Sequence, residues 1–215
     1  MDLARGLAIS AEIGEPGTEG FGTAYVGFLD VWTGAPDAAL ERLERCLERL
    51  IVAGAGWPIA TVQWALGLAQ ASLGRADEAR ATLNDVVERG ADGYSWALSA
   101  ALSALAALDR VGGDAAAAAH ARRALEVAHH VGSDCLSALA HHELGRLAAG
   151  RSEWAEAARL LHASLRALSE GEHLVFVPDS LEALAEVAAG LERNAEAACL
   201  LAAADRARAD LGLVR

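Results

Sequence analysis

The chain has 215 residues, 53% hydrophobic and 22% charged, with four prolines and a formal net charge of −12. This composition excludes a disordered chain and leaves room for one sizeable core or a stacked array. The basic residues are all arginine with no run longer than Arg122-Arg123, which argues against direct binding to nucleic acid or an anionic membrane, since both need clustered cations.

No segment reaches the roughly 18 uninterrupted apolar residues of a membrane-spanning helix, and no signal-peptide pattern opens the chain. The cysteines, Cys46, Cys135 and Cys199, are odd in number and far apart. They read as reduced thiols packed as small apolar residues in a cytoplasmic protein.

Alanine and leucine dominate and β-branched residues are sparse, which favours helix throughout. In chain order the apolar spacing predicts helices over 21–32 and 37–52, then 58–73 and 77–88. Further pairs follow over 94–108 and 115–130, 135–149 and 154–169, and 178–190 and 195–211. Glycine-containing breaks at 54–56, 90–93, 132–134 and 171–173 separate the pairs. Pro58 and Pro178 suit a first helical turn, where the missing N–H is harmless. The segment 173–177, His-Leu-Val-Phe-Val, is the one β-like stretch, and its neighbours make it the extended lead-in to a helix.

A shift of 40 residues aligns the chain with itself. Val26-Gly27 falls on Leu66-Gly67, Gly34 on Gly74, Ala39 on Ala79 and Leu43 on Leu83. Gly145, Ala157 and Leu161 fall on Ala185, Ala197 and Leu201. The middle copy is shorter, with Gly112, Ala117 and Ala121 at a shift of 38. Residues 7–14 resemble 125–132, so the chain is expected to open inside a second helix whose first helix is missing. Glycine on a first helix, facing alanine and leucine on the second, lets two backbones approach. One such hairpin cannot bury both faces, so neighbours must stack. The expected fold is all-α: a right-handed solenoid of about five antiparallel helix pairs forming a single domain over 1–215.

The pattern of small, large and small residues resembles the tetratricopeptide repeat, with a longer period than the usual roughly 34 residues. Leu144-Gly145-Arg146-Leu147-Ala148 with Ala157-Ala158-Arg159-Leu160-Leu161 carries a narrower resemblance. So does Leu181-Glu182-Ala183-Leu184-Ala185 with the run 197–204. Both are similar to the helical-repeat region of large ATP-binding, LuxR-type bacterial transcriptional regulators of the MalT-like, STAND class. The resemblance implies a fragment of a longer protein, flanked by a nucleotide-binding domain and a helix-turn-helix DNA-binding domain. Neither the Gly-x-x-x-x-Gly-Lys-Ser/Thr phosphate loop nor a helix-turn-helix occurs in this chain, and Ser152 and Glu192 stand where other repeats have glycine.

No catalytic constellation emerges, and no cofactor is called for. His142-Glu143 opens like a zinc-protease motif, but position 146 is arginine. His129, His130, His141 and His142 lie on consecutive helices; a metal site would need three or four of them to converge, and otherwise they are exposed or end-capping histidines. Transferring the tetratricopeptide spacing places Phe28, Trp32, Trp64, Leu68, Arg110, His142 and Arg146 on one concave groove, aromatic early and charged late. That groove is expected to seat a protein segment or small-molecule effector. Trp32 and Trp64 could instead be core between repeats. Arg110 and Arg146 could instead pair with Asp109, Glu143 or Glu182. The expected function is non-catalytic: sensing or partner binding within such a regulator, or else a free-standing peptide-binding scaffold.

Overall fold

The computed structural model describes residues 16–90, 95–113, 115–171 and 173–214. The partial copy expected over 7–14 lies outside the described residues. Ten α-helices occur among those described: α1 Pro16–Trp32, α2 Pro36–Val52, α3 Gly56–Ser72, α4 Ala76–Arg89 and α5 Ser95–Gly112, then α6 Ala117–Val131, α7 Asp134–Gly150, α8 Trp154–Glu170, α9 Val177–Gly190 and α10 Asn194–Leu211. No strand occurs among the described residues. The β-like segment is a 3₁₀ turn, Leu174–Phe176, rather than an extended lead-in. It runs straight into α9, where Pro178 stands in the first turn.

The chain divides into two compact units, Met1–Ala104 and Leu105–Arg215, with the division inside α5. In the first unit α1 packs on α2 and α3 on α4, while α3 also packs against both α1 and α2. Helix α3 carries no charged residue and is buried almost all round, as expected of a helix with neighbours on every side. Helix α2 is amphipathic: Ala39, Leu43, Cys46 and Leu50 are buried on one stripe, and Glu41 pairs with Arg45 at 3.1 Å on the exposed face. In the second unit α7 packs on α6 and α8, and α9 on α8 and α10.

Three of the hairpins are drawn together at one point. A Cβ placed on Gly27 would lie 2.8 Å from Leu43, and one on Gly67 2.7 Å from Leu83. One on Gly145 would lie 2.7 Å from Leu161. All three leucines are fully buried. The last copy departs from this. Ala185 has the Cβ that Gly145 lacks, and Leu201, which the register placed in the gap, is 42% exposed. Leu200 packs against Ala185, Ala188 and Ala197 instead.

The turns inside the hairpins share one hydrogen-bond pattern. The N–H of Ala35 donates to the Asp30 carbonyl, that of Arg75 to Gln70, that of Glu153 to Ala148 and that of Arg193 to Ala188. These six-to-one bonds satisfy carbonyls that the helix end leaves open, and they require a left-handed residue just before the donor. Gly34 and Gly74 meet that need with φ of 88° and 75°, and Ser152 and Glu192 adopt it without being glycine, at 59° and 60°. In the middle copy the left-handed residue is Gly113, at φ 72°, and not the Gly112 that the sequence shift selected. Gly112 is the last residue of α5.

These turns set the first prediction. A Cβ on Gly74 would meet nothing within 4 Å, so only its φ of 75° resists substitution. Gly74→Ala should therefore lower stability by about 1 kcal/mol, the penalty of a left-handed L-residue. Ser152→Gly should raise it by a few tenths of a kcal/mol, strain relief exceeding the added chain entropy. Urea unfolding of both variants gives the answer. A Gly74→Ala protein as stable as the parent would show that the turn does not constrain the hairpin.

Candidate functional site

In the first unit, α1, α3 and the start of α5 bring aromatic side chains into a connected series. Phe28 on α1 stacks on Trp64 of α3, with ring centroids 5.6 Å apart and planes 22° from parallel. Trp64 meets Trp96 of α5 edge to face at 5.3 Å. Trp32 and Tyr25 flank Phe28 at 5.8 and 6.4 Å. Two turns nearer the start of these helices, Phe21 lies 6.3 Å from Trp57. Offset and edge-to-face contacts of this kind contribute about 0.5–1.5 kcal/mol each beyond simple burial.

The series is graded in exposure. Phe28 is buried, Trp32, Trp64 and Leu68 are half-buried, and Phe21, Tyr25, Trp57 and Trp96 are about half exposed, at 51, 52, 49 and 40%. Trp64 thus packs against the hydrophobic core, yet keeps open surface. Phe28, Trp32, Trp64 and Leu68 are the residues expected from the sequence, and Tyr25, Trp57 and Trp96 join them in the structure. The missing signal is helical spacing: position 57 lies seven residues before Trp64, two turns away on the same stripe.

In the second unit the end of α5, with α7, α9 and α10, carries charges that satisfy one another. Arg110 donates from Nε to Glu143 at 2.9 Å. Arg146 lies 3.5 Å from Glu186. Arg208 donates to Glu182 at 2.5 and 2.9 Å and to Asp179 at 2.8 Å. Within the hairpin formed by α5 and α6, His120 Nδ1 lies 2.8 Å from the buried Asp109. Arg110 thus takes the Glu143 partnership that the sequence allowed, while Arg146 takes Glu186 rather than Glu182. Burial pushes the Glu143 carboxyl above its ordinary range, and the nearby Arg110 opposes that only in part. The Asp179 carboxyl is raised in the same way against Arg208.

His142 sits in the middle of α7, half-buried, with Nδ1 3.4 Å from the Ser180 hydroxyl. Its pKa is pushed down to about 3, first by loss of hydration and then by Arg146 and Arg110. It is therefore neutral at physiological pH, and neither it nor His141 is the exposed or end-capping histidine expected. His129 and His130 do occupy the last turn of α6. Among the described residues no group of three or more histidine, cysteine, aspartate or glutamate side chains is placed to hold a metal ion.

The thiols also differ from expectation. All three are free, but only Cys46 is buried; Cys135 is half-buried and Cys199 exposed. Burial raises the Cys46 thiol and takes that of Cys135 up to about 11, so neither is an activated nucleophile. Among the described residues no helix is long and apolar enough to cross a membrane.

Arg208 was not anticipated. It is 7% exposed, at the α10 position that matches the buried Leu168 of α8 at the 40-residue shift. A charged residue standing where the other copies have the buried, uncharged Leu50, Gly90, Ala128 and Leu168 is a signal that the register itself carried.

No protein-family model matches the chain, and no curated protein matches it. Solved structures do. BtubC (BKLC) from P. vanneervenii is 16% identical over all of this chain and 94% of that one, with a TM-score of 0.65. Aspartyl phosphate phosphatase F from Bacillus subtilis is 12% identical over 92% of this chain and 51% of that one, with a TM-score of 0.64. The nearly identical TPR-like repeats from Podosopora anserina are 20% identical over 88% of this chain and 94% of that one, with a TM-score of 0.56. The fold is accordingly a tetratricopeptide-like helical repeat.

The pairing of Glu143 sets the second prediction. Arg110→Met leaves a buried carboxylate without its cation and should cost about 3 kcal/mol at neutral pH. Because Glu143 is raised in the folded protein, its contribution is fully present below its unfolded pKa and is lost as pH rises through the folded value. The deficit relative to the parent should therefore shrink on acidification, and adding Glu143→Gln should relieve it at neutral pH. A loss that neither acid nor Glu143→Gln relieves would assign Arg110 a packing role instead.

Proposed function

We propose that the chain is a non-catalytic, cytoplasmic binding region that receives a partner segment or effector along its first-helix face. We place it as the sensor part of a LuxR-type ATP-binding regulator. The carrying observation is the set of linked and partly exposed aromatic side chains on α1, α3 and α5. Partly exposed aromatic residues of this kind dominate binding energy at many interfaces. The ion pairs of the second unit support the same division of labour: Arg110, Arg146 and Arg208 each have a carboxylate partner. Placement in a regulator rests on the repeat resemblance of Leu144–Ser164 and Leu181–Ala204. Binding would bias the neighbouring nucleotide-binding and DNA-binding domains only if the partner prefers one of two conformations.

The whole reading frame of the gene tests the placement. A phosphate loop before these residues and a helix-turn-helix after them are expected, and a frame with neither leaves the free-standing scaffold. Binding itself is tested in the full-length protein with a photoreactive residue at position 57, on the aromatic face, or at position 45, on the exposed side of α2. Cross-linking of the effector from position 57 and not from 45 is the expected result; the reverse would move the site off the first helices.

A further inference from the structure

The face formed by α1, α3 and the start of α5 is short of one kind of charge. Helix α3 has no charged residue. Residues 95–104 of α5 have none. Helix α1 has two, Glu19 and Asp30, both acidic. Each is held from α2: Arg49 donates to Glu19 at 2.9 Å and Arg42 to Asp30 at 3.3 Å. The arginines nearest to α1 are therefore engaged in tying second helix to first, and the first helices of this unit present none of their own. The whole chain carries −12 and has no lysine.

Against that background stand two indole side chains, Trp57 and Trp96, 49 and 40% exposed, beside the exposed Phe21 and Tyr25. An aromatic ring attracts a cation through its negative face, most strongly for tryptophan. An acidic protein also draws cationic partners by its long-range field. The first helices of the second unit are built differently, since they supply arginines and match them with their own carboxylates. A partner of the aromatic face has to bring its cations with it.

We infer that the face bearing Phe21, Tyr25, Trp57, Trp64 and Trp96 takes a cationic, otherwise apolar polypeptide segment. Arginine or lysine side chains of that segment lie over the indoles, and its aliphatic residues cover Phe21 and Tyr25. This rests on the reading of the first helices as the binding face and adds the chemistry of the partner. An acidic segment is disfavoured by the net charge. A neutral segment gains no cation–π contact, and a second copy of this chain would bring another −12.

The test uses the full chain and three fluorescein-labelled helical peptides. They share one leucine stripe and differ only in the positions flanking that stripe, which are arginine, glutamine or glutamate. Fluorescence anisotropy is read at low and physiological salt, for the parent and for Phe21→Ser with Trp57→Ser, exposed positions whose change leaves the net charge as it was. Circular dichroism and a thermal melt confirm that this variant folds, and sedimentation confirms that the parent does not self-associate under the same conditions.

The expected result is that the arginine peptide binds the parent about tenfold or more tighter than the glutamine peptide, the scale of one or two cation–π contacts. The aromatic variant should lose about tenfold for the arginine peptide at physiological salt. Equal binding of the arginine peptide to parent and variant would reduce the effect to bulk charge and overturn the inference. Equal or tighter binding of the glutamine or glutamate peptide, still sensitive to the aromatic changes, would overturn the cationic preference and leave the binding face standing. Binding of none of the three would overturn both, and so would self-association that buries this face.

Discussion

The packing of this protein depends most on a glycine on one helix facing a leucine on the next. In three hairpins the leucine occupies the space where a Cβ would otherwise be, at 2.7 or 2.8 Å from the ideal Cβ position. A glycine inside a helix costs about 0.5–1 kcal/mol of stability. A leucine fully withdrawn from water contributes about 1.5–3 kcal/mol. The leucine outweighs the glycine, so the close contact is favourable despite the weaker helix. The contact also sets the depth to which the helices interlock, and hence which side of each first helix remains open.

The two units use that open side differently. In the first, the side chains on it are aromatic, linked by ring contacts from Phe28 through Trp64 to Trp96, and only partly withdrawn from water. In the second, the equivalent helices carry arginines and carboxylates that neutralise one another, from Arg110 and Glu143 to Arg146 and Glu186. The buried pair of Arg110 and Glu143 adds little net stability, because desolvation offsets most of the attraction, but losing one partner is expensive; the more exposed pair of Arg146 and Glu186 contributes less still. They fix the pairing of helices. Burial raises the carboxyl of Glu143 against the pull of Arg110, and burial together with Arg146 and Arg110 depresses the imidazole of His142.

Much of the fold can be read from the 40-residue shift, because buried alanine and leucine recur at fixed offsets and four of the second helices follow a turn of one design. Less could be read where two neighbouring residues compete for one role. Gly112 and Gly113 are indistinguishable by composition, and only backbone geometry selects Gly113 as the left-handed residue. Leu201 matches Leu161 by register, yet the Cβ of Ala185 leaves no gap for it. Ser152 and Glu192 hide a left-handed turn behind residues that do not advertise one. At the candidate site, Phe28 and Trp64 were visible as aromatic residues on first helices. Tyr25 and Trp57 follow from spacing along α1 and α3, whereas Trp96 belongs with them through its contact with Trp64 on another helix, which no single helix pattern contains. The partnership of Arg208 with Glu182 and Asp179 likewise spans 26 and 29 residues.

The measurement that bears most directly on this account is a double-mutant cycle between Gly145 and Leu161, read by equilibrium urea unfolding. With Leu161 present, Gly145→Ala should cost about 1–3 kcal/mol, because the new methyl group overpacks the crossing. With Leu161→Ala already made, the same change should be neutral or slightly stabilising, since alanine is the better helix former by about 1 kcal/mol. The two changes would then be strongly coupled. An identical cost for Gly145→Ala in both backgrounds would show that the glycine and the leucine do not share the crossing, and would contradict the account.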